Sequence, residues 1–297
     1  MKKNLFLNQA LIILILLGLI WGSGYSIARF VMTHGVQPIG YSFWQCLGPA
    51  IILGILSLKH LRWDSQHIKF YFICGLIGIA IPNTNMYYVS SHLPAGLLAV
   101  IVNTVPVMIY PMAFIAKQEK FDILRLLGVL SAVLGILCLV MPKASLPHSN
   151  EFGYILMGLL TPFCFAIFTL FINPHRPKES NPLSLAAGML ITATLLLTPW
   201  VISTHGFYTF SGTSLNNTLI ILEIVLSSIG YVLFFKLLRI AGPVYYSLVD
   251  GVVALTGLFW GWIIFKEHFG MFNLLAIFLI LVGIVLVNSR IRLLKKP

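Results

Sequence analysis

Two carboxylates stand inside stretches that are otherwise almost free of charge: Glu223 in LIILEIVLSSIGYVLFF and Asp250 in YYSLVDGVVAL. In a helix, Glu223, Ser227 and Tyr231 recur at i, i+4 and i+8 and form a polar strip down one face. An acid in apolar surroundings is costly, so its presence points to chemistry: taking up and releasing a proton, or holding a cation. Tyr245 and Tyr246 stand close before Asp250, and a carboxylate beside aromatic faces is a cradle for an organic ammonium. The same Asp250 also suits a structural role as partner to Lys236, Arg239 or a helix terminus. Arg29 lies near the end of the first apolar run, at a depth similar to Glu223. Paired across a cavity, Arg29 and Glu223 would be either a permanent salt bridge between helices or a gate built on a protonatable acid.

Other polar and aromatic residues interrupt the apolar runs. Pro82-Asn83-x-Asn85 and the pair Asn103 and Pro106 combine a proline with asparagine amides. Proline frees a backbone carbonyl within a helix, and the amides can satisfy exposed backbone, bind polar groups of a substrate, or simply join packed helices. Trp21 and Tyr25, one turn apart, offer an aromatic wall or ordinary packing. Glu119 and Glu267 each precede a helix, where a carboxylate favours the positive helix end, and we read both as structural. The eight histidines fall near run ends without HExxH or similar spacing, so no metal is expected. No cofactor or catalytic residue is expected either, since Walker A and GxSxG sequences are both missing. Cys46, Cys74, Cys138 and Cys164 lie in apolar runs and read as small core residues.

The elements that position these groups must be membrane helices. The chain is 59% hydrophobic and only 9% charged, with a mean hydropathy of +0.95, too apolar for a soluble domain of 297 residues. Apolar runs long enough to cross roughly 30 Å of hydrocarbon fall near 10–33, 38–58, 68–88, 94–116, 123–141, 151–172, 182–203, 216–238, 243–265 and 271–289. Turn residues such as His34-Gly35, Asn173-Pro174, Asn181-Pro182 and Gly242-Pro243 separate them. The first run follows Lys2 and Lys3 but is long and has no small-residue cleavage site, which predicts a retained helix.

An even number of spans puts both termini on one side. With that side cytoplasmic, all but Arg29, Lys143 and Lys266 of the 19 Lys and Arg residues lie inside, which fixes the orientation under the positive-inside rule. The net charge of +11 is then a loop property and no sign of nucleic acid. The segment around Glu119 recurs 148 positions later, in 119 to 267, with Phe121 matching Phe269, Leu126–Leu127 matching Leu274–Leu275, and Gly135–Ile136 matching Gly283–Ile284. That shift crosses five spans, an odd number, so the halves are predicted to be inverted relative to each other. Inverted repeats let the two halves exchange conformations, a device of secondary transporters. The expectation is an all-α membrane protein of ten transmembrane helices, as two inverted five-helix repeats (1–146 and 147–297) around a central cavity.

GLIWGSGYSIARF, with Trp-Gly-Ser and then Arg29, resembles the first-helix motif of EamA-like members of the drug/metabolite transporter superfamily. The two E-x-F…G-I helix pairs are similar to the ends of that family's repeats. The second copy departs from the pattern, with Thr161-Pro162 where Trp21-Gly22 stands. The resemblance implies a cavity lined mainly by spans 1, 3, 4, 6, 8 and 9 and transport of small metabolites, favouring export. The expected function is therefore a multi-pass carrier in a bacterial cytoplasmic (inner) membrane, moving amino acids, amines or related compounds by alternating access with protons as a candidate coupling ion. Uptake of a metabolite such as a nucleoside derivative is the alternative, and a flippase component or membrane-embedded enzyme acting on lipid-linked substrate is a further one. The expected substrate contacts are Trp21, Tyr25, Asn83, Asn85, Asn103, Tyr231, Tyr246 and Asp250, with Arg29 and Glu223 as coupling or gating residues. Partners are the small molecule and the lipid bilayer, with no nucleic acid.

Overall fold

Local chemistry sets most of the helix ends. The computed structural model describes residues 2–115, 121–140, 151–177, 180–246 and 248–288, and all regular structure among them is helical. Helix α1 (Lys2–Thr33) ends at a turn in which Gly35 takes φ +90°, a conformation that favours glycine. Helix α2 (Pro38–Ser57) starts on a proline, whose missing N–H is no loss at that position. Asp64 caps α3 (Ser65–Ser90), accepting from the backbone N–H groups of Gln66 and His67. Helices α4 (Ala95–Ile115), α5 (Ile123–Val140) and α6 (Glu151–His175) follow. Asn181 caps α7 (Pro182–Ser203), and α8 (Ser214–Tyr246), α9 (Leu248–Phe265) and α10 (Met271–Asn288) complete the described chain. Eight of these helices are long and apolar enough to cross a membrane, while α5 and α10 are shorter apolar helices.

Three elements depart from the sequence reading. Helix α8 runs through Gly242-Pro243, where a turn was expected, and stops at Tyr246. A proline so near the C-terminal end has a φ compatible with the helix and costs one ladder bond. Asp250 therefore stands in the first turn of α9, and Tyr246 belongs to the preceding helix. Helix α6 likewise passes Asn173-Pro174 to reach His175. Helix α3 holds a π-helical turn at Leu76–Ala80, with the Ile81 N–H bonding back to the Leu76 carbonyl. Pro82 cannot donate to the carbonyl four residues earlier, which leaves this part of the ladder free to widen. Glu119, one of the two repeated glutamates, lies outside the described residues.

Helix pairings recur between the two halves. Helix α1 packs on α8 and α9, and α6 packs on α3 and α4; α2 meets α7, α4 meets α9, and α5 meets α10. In the α5–α10 pair the contacts repeat residue by residue. A Cβ on Gly135 would lie 2.8 Å from the Ala276 carbonyl oxygen and 2.8 Å from Ile280. One on Gly283 would lie 2.6 Å from the Gly128 carbonyl oxygen and 2.7 Å from Ala132. Each member of the second set is 148 positions from its counterpart in the first. The Ser131 hydroxyl donates to the Leu279 carbonyl at 2.8 Å, again across 148 positions. Small residues let these two backbones approach closely, the usual basis of helix association in lipid.

Candidate substrate cavity

A cavity lies between the helices, with about 960 Å³ of empty space when the open solvent at its mouth is included. Helices α1, α3, α4, α6, α8 and α9 line it, as the family resemblance implies, and α7 adds Met189. Eight of the ten expected site residues face it: Trp21, Tyr25, Asn83, Asn103, Tyr231, Tyr246, Asp250 and Glu223. The other two, Asn85 and Arg29, do not.

Aromatic rings form the wall around Trp21. Its ring centre lies 6.3 Å from that of Tyr231, 5.9 Å from Phe234 and 6.3 Å from Tyr246. Phe234 in turn stands 4.9 Å from Tyr246 and stacks on Phe168 at 6.1 Å. Polar groups are set into this wall at the helix interruptions. The Asn83 amide donates to the Tyr231 hydroxyl at 3.2 Å, joining α3 to α8. The Asn103 amide donates to the Ala99 carbonyl at 2.6 Å and to the Tyr25 hydroxyl at 3.3 Å. It does so where α4 is interrupted between Val102 and Val105, ahead of Pro106.

Both acids are buried in the cavity wall. Glu223 is 5% exposed; its Oε1 accepts from the Ser227 hydroxyl at 3.4 Å, and its Oε2 has no hydrogen-bond partner. The same hydroxyl lies 3.0 Å from Gln45 Oε1, so its one proton is shared between Gln45 and Glu223, with Gln45 the closer acceptor. Gly24 makes room for the carboxylate, since a Cβ there would sit 2.9 Å from Oε1. The titratable groups near Glu223 are the hydroxyls of Tyr41, Tyr87 and Tyr231. Asp250 is 6% exposed, and its titratable neighbours are Tyr25 and Tyr246. Neither Lys236 nor Arg239 forms an ion pair with it among the described residues.

The expected pairing of Arg29 with Glu223 is corrected by the structure. Arg29 donates from Nη1 to the Leu93 carbonyl, lies 5.3 Å from the centre of the Phe265 ring, and stands 3.9 Å from Glu267. Glu267 does cap a helix, but the helix is α4 and not the one that follows it. Its two carboxylate oxygens accept from the backbone N–H groups of Ala95 (2.6 Å) and Gly96 (3.0 Å). That site offers both unpaired donors and the positive end of the helix dipole. Asn85 is a helix tie: its amide donates to the Met157 carbonyl at 2.7 Å and the Thr161 hydroxyl at 3.0 Å, both on α6.

Several cavity residues had no signal in the sequence. Phe165, Phe168 and Phe234 line the space, yet an aromatic residue on an apolar helix reads the same whether it faces lipid, core or cavity. Gln45, buried behind Ser227, did carry a signal as a polar residue inside an apolar run.

The model of the EamA-like transporter family matches residues 8–141 and 152–289. The chain belongs to the EamA-like transporter family. This EamA-like chain is thus a membrane transporter of the drug/metabolite transporter superfamily. It is 20% identical over 203 residues to a Clostridium kluyveri protein described as an uncharacterized transporter, covering 65% of this chain and 63% of that one. The match therefore spans under two thirds of that relative. It is 21% identical over 275 residues to Protein PecM of Dickeya dadantii, covering 91% of this chain and 89% of PecM. A crystal structure with 13% sequence identity aligns at a TM-score of 0.66 over 97% of this chain and 99% of its own, a likeness of fold alone.

Proposed function

We propose that this EamA-like transporter carries small organic amines through the membrane by alternating access, exchanging them for protons at the cavity acids. The observation that carries the reading is the wall of the cavity: two buried carboxylates, Glu223 and Asp250, among the rings of Trp21, Tyr25, Tyr231 and Tyr246. An ammonium is drawn to such a site by charge and by the aromatic faces together. A carboxylate left without a cation in low dielectric is costly, so each acid holds either a proton or a cation during the cycle.

Alternating access is supported by the 148-residue repetition, which recurs in the contacts of Gly135 and Gly283 and in the Asn83–Tyr231 bond. On this reading, 1–146 and 147–297 are two inverted five-helix repeats of a ten-span carrier, and exchange of their conformations opens the cavity to one side and then the other. The bias of Lys and Arg toward one set of loops supports an inner-membrane protein with both termini in the cytoplasm. Export is the favoured direction, on the family resemblance. The Arg29–Glu267 contact, tied to the start of α4, then serves as an outer closure.

Solute counterflow in proteoliposomes tests the function. Vesicles preloaded with a labelled amine should exchange it rapidly for external amine, and much less for neutral amino acids or nucleosides. Exchange that favours a neutral or anionic solute would exclude the amine reading while leaving the carrier itself in place.

A further inference from the structure

A single ammonium needs only one of the two acids. Among the described residues no Lys, Arg or His lines the cavity, so neither carboxylate has a protein cation facing it there. Glu223 in particular is more than nine-tenths buried, faces the cavity, and leaves Oε2 without a hydrogen-bond partner.

The acids are set at different depths, and α1 measures the offset. The Glu223 carboxylate lies against Gly24. On α9, Val252 lies against Gly18 and Thr256 against Gly22, so the two helices run in step. Asp250, two residues before Val252, is then level with about position 16 of α1, eight residues from Gly24, or about 12 Å of helix rise. Trp21 and the Asn83–Tyr231 bond belong to the wall that joins these two depths.

We propose that Glu223 forms a second cation subsite and that the preferred substrate class is an extended dicationic amine. One ammonium sits at Asp250, the other at Glu223, and the aliphatic chain runs along the ring of Trp21. This rests on the amine reading above. A dication neutralises both buried carboxylates at once, whereas a monoamine leaves one of them to a proton. The separation of the acids selects for chain length, since a short diamine cannot reach both.

The test is equilibrium binding to the purified full chain of a graded series of α,ω-diaminoalkanes, each beside the 1-aminoalkane of equal length. A diamine of matching length should bind at least about ten-fold tighter than its monoamine, a difference of roughly 1.4 kcal/mol, with an optimum along the series. Glu223→Gln should bring the diamine-to-monoamine ratio toward one, and Asp250→Asn should weaken both. Glu223→Asp, which keeps the charge on a shorter arm, should retain a ratio above one and move the optimum to a longer diamine; this guards against a Gln variant that misfolds. Equal affinity for diamines and monoamines in the wild type would overturn the second subsite, as would a Glu223→Gln variant that weakens both alike. If neither amine binds while a neutral or anionic metabolite is carried, the amine reading itself fails and takes this one with it.

Discussion

Asn83 donates a hydrogen bond to Tyr231 at 3.2 Å, and the two positions are 148 residues apart. The same offset relates Glu119 to Glu267 in the sequence and Ser131 to Leu279 in a second hydrogen bond. Positions separated by this offset thus meet twice in the structure, at Asn83–Tyr231 inside the cavity and at Ser131–Leu279 in the α5–α10 pair.

Asn83 and Asn85 should separate cleanly in function. Asn83→Ala removes a cavity donor and should raise the KM for substrate several-fold. Asn85→Ala removes only a tie to α6, of the order of 0.6 kcal/mol in membrane helices, and should leave KM within about two-fold of wild type. Transport kinetics of both variants at matched protein levels make the comparison.

Glu267 should matter more to stability than a loop glutamate ordinarily does. Its carboxylate holds two backbone donors of α4, and Gly96 and Gly261 leave room for it. Loss of hydrogen bonds to a charged group costs about 2 kcal/mol, so Glu267→Ala should lower the thermal midpoint in detergent by several degrees. Glu267→Gln should recover part of that loss. A melting curve read from intrinsic fluorescence distinguishes the three proteins.

The α5–α10 seam should reject larger residues at either copy of its glycine. Gly135→Leu and Gly283→Leu each drive a side chain into the facing backbone, and overpacking of this kind costs about 1–3 kcal/mol. Similar losses of thermal stability are expected from both, because each glycine meets the counterpart of the other's partners. A large loss from one alone would contradict the repeated contact.

Asp64, in the turn before α3, carries the acid sensitivity of that helix start. The backbone N–H of His67 holds its carboxyl below the ordinary carboxylate value, with the His67 side chain and the Gln66 N–H acting the same way. A carboxyl lowered by folding contributes stability that is present above its unfolded value and lost as the pH falls through the folded one. The contribution should therefore disappear only in acid below about pH 4. Asp64→Ala should be less stable than wild type at neutral pH and converge with it in acid, as followed by thermal melts across pH.

Much of the fold was legible because lipid imposes strong patterns. Apolar runs of the required length, turn residues between them and two internal acids are all visible in one dimension, and so is the repeat. What escaped depended on partners in space. Glu267 could be read as a cap, but nothing local tells that its helix is α4, well over a hundred residues away. The Arg29–Glu223 pair followed from depth alone, and depth does not give the angle around the helix axis. Gly242-Pro243 read as a break, yet α8 continues to Tyr246, whose ring packs on Trp21 and Phe234. Helices that are apolar on every side also carry little periodicity, so Phe168 and Phe234 gave no sign of facing a cavity.

Exchange of protons for an amine at the cavity acids can be read as flux into proteoliposomes under an imposed pH gradient. We expect a labelled amine to accumulate against its own gradient when the vesicle lumen is acidic, and Asp250→Asn to abolish that accumulation in folded protein. Amine flux that is indifferent to the pH gradient, or that survives intact in Asp250→Asn, would rule out proton exchange at these acids.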